Sequence, residues 1–234
     1  MTKTANAANA PFNKSVGVFS LMFSRLVLVA LAALALFAPA QMVSAQPVAA
    51  PAAVDQENIL HLDLSTGGRV SIMMFPNAAP AHVERIKTLA RQGFYNGLTF
   101  HRVIEGFMAQ TGDPTGTGTG SSDLPDLTAE FSAIPHLRGT VSMARATDPN
   151  SANSQFFICF QPKFSLDSTY TVFGRVIAGM QFVDAIARGE PPAQPDRIVQ
   201  ASIAADNLPP PDFANLAKTP QADQPKFDLN KPLN

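Results

Sequence analysis

The chain has 234 residues, 46% of them hydrophobic and 15% charged, with 17 Lys+Arg against 18 Asp+Glu. That length suits one domain of ordinary size with appendages, and the composition is that of a globular protein. A near-neutral balance lacks the basic footprint of a nucleic-acid binder, so no nucleic-acid partner is expected.

Residues 1–45 read as a signal peptide. Lys3, Lys14 and Arg25, with no acid among them, precede an apolar run over 26–38, and Val43-Ser44-Ala45 supplies small residues for cleavage. The run is shorter than the ~20 residues a hydrocarbon-spanning helix needs. The expectation is therefore export, cleavage after Ala45 and no stable membrane insertion. The long n-region keeps an uncleaved N-terminal anchor as the alternative. No Cys follows the run, which disfavours a lipoprotein. Removing Lys3, Lys14 and Arg25 from the 17 basic residues leaves 14 against 18 acidic, a mature balance of −4.

Residues 46–57 are rich in Ala, Pro and Gln and read as a linker to a domain over 58–205. Leu60, Leu62 and Leu64 alternate with His61 and Asp63; Thr66-Gly67-Gly68 then turns the chain, and Val70 and Ile72 resume the alternation, which predicts a β-hairpin. Pro76 to Gly93 predicts a helix: Pro80 suits the first turn, Val83, Ile86, Leu89 and Ala90 recur at helical spacing, and Gly93 is the stop. Short strand-like runs follow at 98–104, 107–111, 139–144, 154–160 and 171–177. A second helix is expected over Met180–Arg188 and a closing strand over Arg197–Ala204. Many short strands with two helices, and no βαβ alternation, point to an antiparallel barrel or sandwich. Residues 206–234, with Pro209-Pro210-Pro211, Pro220, Pro225 and Pro232, read as a proline-rich, disordered tail.

Residues that invite chemistry mostly have plainer readings. Cys159 lies in the apolar run Phe156-Phe157-Ile158-Cys159-Phe160 and reads as an inert buried thiol. The stretch from Gly112 to Gly120 is Gly-rich but lacks the Gly-Lys-Ser/Thr end of a phosphate loop. His61, His82, His101 and His136 show no metal-ligand spacing, so no metal is expected. Asp113 and Asp167 read as turn-fixing residues. Strand parity puts Met108 with Gln110, and Gln155 with Phe157, while Phe156 and Ile158 face a core. Two amides among apolar groups would suit a peptide. The same parity puts Arg102 with Phe100 and Ile104, and His101 opposite. Arg102 is either a cationic contact to a ligand or a surface residue paired with Glu105 or another acid.

Four segments then stand out: Phe100-His101-Arg102-Val103-Ile104-Glu105-Gly106-Phe107-Met108-Ala109-Gln110, Gly139-Thr140-Val141-Ser142-Met143-Ala144-Arg145-Ala146, Asn153-Ser154-Gln155-Phe156-Phe157-Ile158, and Leu166-Asp167 with Tyr170-Thr171-Val172-Phe173-Gly174. In order and spacing they resemble the signature segments of cyclophilins, and the likeness runs from about Ile59 to Ile203. It implies a closed eight-stranded antiparallel β-barrel capped by two α-helices. It implies peptidyl-prolyl cis-trans isomerase activity with no cofactor, on proline-containing unfolded or partly folded chains. It implies Arg102 as the catalytic cation and a proline pocket of Phe107, Met108, Phe157 and Leu166. Gln110 would hydrogen-bond the peptide, the backbone at Ala144 and Arg145 would hold the residue before proline, and Gln155 and Tyr170 complete the binding set. Tyr170 and Arg145 look like bacterial variants of a histidine and an asparagine, which with the leader implies a periplasmic monomer. Where many cyclophilins carry tryptophan, this chain has Ser165, with Phe164 one position early. Two other readings stay open: a peptide-binding module that does not catalyse, and a cell-envelope protein whose tail binds a partner.

Overall fold

A computed structural model describes residues 55–216. The leader, its cleavage site, most of the linker and the tail from residue 217 lie outside the described residues. The Asp55 carboxylate accepts from the Glu57 N–H and caps a 3-10 turn at Gln56–Asn58. The hairpin follows as β1 (Ile59–Leu64) and β2 (Gly68–Met74), with Leu60 opposite Ile72 and Leu62 opposite Val70. Those residues face a continuous core. On the other face Asp63 meets Arg69 in a two-pronged ion pair of 2.8 and 2.9 Å.

Helix α1 (Pro80–Arg91) starts with proline at its first turn and packs Val83, Ile86 and Leu89 into the same core. It is shorter than the run from Pro76, because residues 76–79 form a turn held by the Phe75 carbonyl. The remaining strands are β3 (Arg102–Ile104), β4 (Met108–Thr111), β5 (Thr140–Met143), β6 (Phe156–Cys159), β7 (Val172–Ala178) and β8 (Ile198–Ile203). All pairings are antiparallel, in the order β3-β4-β6-β5-β7-β2-β1-β8.

The sheet curls but is not a closed ladder, since β3 and β8 are its two ends. The gap is stitched just outside them. Thr99 bridges Arg197, the Phe100 N–H donates to the Asp196 carbonyl, and the Ile198 N–H donates to the Leu98 carbonyl. This limited stitching still shields both edges from further pairing.

The second helix, α2, covers Met180–Asp184 rather than reaching residue 188. The Arg188 guanidinium turns back onto the carbonyls of Asp184 and Ile186 and ends the run. A third helical turn, α3 (Phe213–Leu216), lies in the segment read as tail. The start of that segment is tied down: Arg91 holds Asp206, Arg69 donates to the Leu208 carbonyl and Gln200 to that of Pro209. No helix among the described residues is long and apolar enough to cross a membrane.

Candidate active site

The site lies on the outer face of the β3-β4-β6-β5 half of the sheet, and strand register builds it. One cross-strand row reads Arg102, Gln110, Phe157, Ser142; the next reads Ile104, Met108, Cys159. The residues between them, Val103, Ala109, Ile158 and Val141, point into the main core. A pleated strand alternates its side chains, so fixing the core residues fixes the site residues on the reverse side.

Met108, Phe157 and Cys159 form a second, smaller buried cluster, with Ile104, Phe107, Ala144, Leu166 and Tyr170 packed around it. The Phe157 ring is its floor. Phe107 tilts against it at 6.4 Å between centroids, Tyr170 meets it edge-on at 6.0 Å, and His136 stacks on it at 6.2 Å. Leu166 comes from a 3-10 turn at Phe164–Leu166, and Phe107 from the β3-β4 turn. The result is an apolar depression in outline, with a buried base of Met108, Phe157 and Cys159 and half-buried Ile104, Phe107, Ala144, Leu166 and Tyr170 at its margin.

A polar ridge borders it. The Arg102 Nη1 reaches Gln110 Oε1 at 3.5 Å, Gln110 Nε2 donates to Gln155 Oε1 at 2.9 Å, and Gln155 Nε2 donates to the Gly118 and Gly120 carbonyls at 3.1 and 2.8 Å. The Gly-rich loop is thus the outer anchor of the ridge. Asp113 shapes that loop by accepting from the backbone N–H groups of Thr115, Thr117 and Gly118. Burial alone would raise Asp113, but the donors of Thr115, Gly120 and Gly118 hold it below its ordinary 3.8. This is the turn-fixing role its sequence context suggests.

Ala144 closes the β5-β6 ladder through its N–H to the Gln155 carbonyl, which leaves the Arg145 peptide past the last rung. The Arg145 side chain does not enter the depression. It donates to the carbonyls of Ala146, Thr147 and Thr169, and its guanidinium lies 4.5 Å from the Tyr170 ring centre, so it braces that wall from outside.

Some placements were not legible in the sequence. Arg102 pairs with Glu190 at 2.7 Å, whereas Glu105 is taken by Arg188. Phe100 joins the main core with Val103, not the face of Arg102 and Ile104, because regular strand begins only at Arg102 and parity breaks before it. His101, in that irregular stretch, is buried beside Gly118. His136, whose spacing in the sequence suits no metal site, takes a structural place. It is fully buried beneath Phe157, with Nδ1 on Asp167 at 2.9 Å and Nε2 against Ser142 Oγ at 3.1 Å. Asp167 also accepts the His136 backbone N–H, and these bonds hold its carboxyl below the usual range. Lys163 sits 5.5 Å from the Phe107 ring centre at the rim. Apart from His136 with Ser142, these partnerships join residues far apart in sequence, so no spacing rule finds them. Cys159 is fully buried, and burial pushes its thiol up to about 12, which leaves it no nucleophilic character.

Comparison with known proteins gives one consistent answer. Residues 61–203 match the family model described as cyclophilin type peptidyl-prolyl cis-trans isomerase/CLD. A probable peptidyl-prolyl cis-trans isomerase of Brucella suis is 49% identical over 170 residues, covering 66% of this chain and 86% of its own length. Peptidyl-prolyl cis-trans isomerase B of Bacillus subtilis is 41% identical over 129 residues, covering 54% and 89%. Among solved structures, a cyclophilin from Hirschia baltica superposes with a TM-score of 0.62 at 29% identity, covering 73% of this chain and 87% of that one. The curled antiparallel sheet, the aromatic depression on its outer face and the matched span together place this chain in the cyclophilin-type peptidyl-prolyl cis-trans isomerase family.

Proposed function

We propose that this cyclophilin isomerises X-Pro bonds in exported polypeptides, with Arg102 stabilising the twisted amide. Rotation about a peptide bond faces a barrier of ~18–20 kcal/mol, and the uncatalysed X-Pro reaction takes tens to hundreds of seconds. No bond is broken, so the site needs no nucleophile. It must favour the twisted state, in which the prolyl nitrogen loses resonance and gains a basic lone pair. A cation aimed at that nitrogen binds the transition state more strongly than either ground state.

The observation that supports this most is the Arg102-Gln110-Phe157 row. It sets a guanidinium two strands from the aromatic floor where a proline ring would lie, with an amide between them. Phe107, Met108, Phe157 and Leu166 would take the ring, Gln110 and Gln155 would hold the peptide's polar groups, and the Arg145 peptide would bond the residue before proline. A relative from Cryptosporidium parvum, 28% identical with a TM-score of 0.58, was crystallised in the presence of the dipeptide ala-pro, which fits a ligand of this class. Arg102→Ala should lower kcat by about a hundredfold, the scale of losing one preorganised donor, while KM changes little. Arg102→Lys should rescue poorly, because a point charge does not reproduce the planar fork. Wild-type turnover in Arg102→Ala would favour the reading of a peptide-binding module.

The apolar run and the small residues before Gln46 support export to the periplasm. The mature protein should begin at Gln46, which intact-mass measurement of a periplasmic extract checks. An intact N-terminus in the membrane fraction would establish the anchored form instead.

A further inference from the structure

We propose that Glu190 is a positioning residue for Arg102. Its Oε2 accepts from Arg102 Nε at 2.7 Å, with the two side chains 42% and 52% exposed. This rests on the catalytic reading of Arg102 above. A guanidinium presents its five N–H groups along three edges of one plane. Here Glu190 takes the Nε edge, and Gln110, the next residue of the row toward Phe157, meets Nη1, so the plane is held from two sides. Without these bonds Arg102 is a long, partly exposed side chain on an end strand, with several rotatable bonds. Held on two edges, it presents its charge in one orientation before substrate arrives, and orientation settled in advance need not be found during the reaction.

Glu190 itself is placed by backbone. The residue before it, Gly189, exchanges two hydrogen bonds with Val103 of β3, of 2.8 and 2.9 Å, one position along from Arg102. Gly189 has φ 149, and a Cβ there would come within 2.5 Å of Pro192 Cα, so the following loop folds back tightly only because this residue is glycine. Behind it, Arg188 is held by Glu105 at 2.7 Å and lies 4.2 Å from the Phe160 ring centre. The carboxylate is thus carried on a segment fixed to the same strand as the cation it orients.

The test is a double-mutant cycle on the full mature protein with an X-Pro peptide, scored by kcat and KM separately. Glu190→Ala should lower kcat about three- to fivefold, the size an oriented exposed ion pair supports, with KM unchanged and the melting temperature kept. In the Arg102→Ala background the same change should have no further effect. Added salt should bring the wild-type kcat down toward the Glu190→Ala value and leave the variant flat. If Arg102→Ala loses activity while Glu190→Ala keeps the wild-type kcat, the positioning role is wrong and the catalytic reading of Arg102 stands. A Glu190→Ala loss that persists undiminished without Arg102 would also overturn it. Full turnover in Arg102→Ala, by contrast, is the failure of the catalytic reading itself.

Discussion

At the residue scale, the wall around Leu166 carries Ser165 where the cyclophilin resemblance leads one to expect tryptophan. Ser165 is exposed, and Phe164 is 64% exposed, so its ring does not turn inward to fill the place a tryptophan would take. A large aromatic buries 150–250 Å² when enclosed. Losing even about 60 Å² of contact, at ~25 cal/mol per Å², costs about 1.5 kcal/mol or roughly tenfold in affinity. We therefore expect cyclosporin to inhibit this protein weakly and Ser165→Trp to tighten inhibition about tenfold. A short proline peptide depends mainly on Phe107, Met108, Phe157 and Leu166, so its turnover should change little in the variant. Equal inhibition of both proteins in a titration against isomerase activity would show that residue 165 does not line the site.

At the scale of elements, the site depends on how closely β4 and β6 approach beyond the end of their ladder. Gly112 has φ +90, and a Cβ there would stand 2.4 Å from the Ser154 carbonyl oxygen. Ser154 is itself fixed, its hydroxyl donating to the Gly112 carbonyl at 2.8 Å and its own carbonyl accepting from Tyr95 Oη at 3.1 Å. Gly112→Ala meets both a left-handed backbone and a backbone collision. It should destabilise the domain by about 2–4 kcal/mol, read from urea unfolding. A change under 0.5 kcal/mol would mean that the two segments are not held this tightly. The strands around this contact were readable from the sequence because each run is short and bounded by Gly, Pro, Asn or Asp. Their order in the sheet was not, since it depends on pairings such as β1 with β8 that no local pattern announces. The shorter extent of α2 has a related cause. The helical spacing of Phe182, Val183 and Ile186 continues past Asp184, but Arg188 binds the carbonyls that a longer helix would have used.

At the scale of the whole molecule, burial has a direct consequence for acid stability. His82 and His101 are buried, and desolvation foremost holds both below the ordinary 6.5; His61 is lowered by desolvation and then by Arg69. The unfolded chain then binds protons that the folded chain refuses, so stability declines as pH falls from about 6.5 toward their folded values. Glu130 adds a second decline. Burial would raise it, but donors from His82 and Ala81 hold it below its ordinary 4.5; Asp113 and Asp167 lie below 3.8. Stability from such carboxylates is complete above their unfolded values and is lost as pH falls through the folded ones. Melting temperatures should therefore stay level from pH 8 to 7, start to fall as pH drops through about 6.5, and fall again below about 4. A flat profile down to pH 4 would show that these histidines are not held neutral by burial.

Strand parity sends Phe156 and Ile158 one way and Phe157 the other, as the two clusters show, whereas Phe107 and Leu166 come to the apolar cluster from turns and are reached in the sequence only through the resemblance. The Arg102-Glu190 pair and the His136-Asp167 pair beneath Phe157 were not legible in the sequence, because each joins residues far apart in the chain, 88 and 31 positions respectively.

The central claim is that Arg102 acts on the twisted amide rather than on peptide binding. Two-dimensional exchange NMR on an Ala-Pro peptide tests it most directly, since one sample reports both the cis-trans exchange rate and the bound fraction. The account predicts that the mature wild-type protein accelerates exchange, and that Arg102→Ala binds the peptide within about twofold of wild type while its exchange rate falls about a hundredfold. Exchange by Arg102→Ala as fast as wild type, at equal bound fraction, would contradict it.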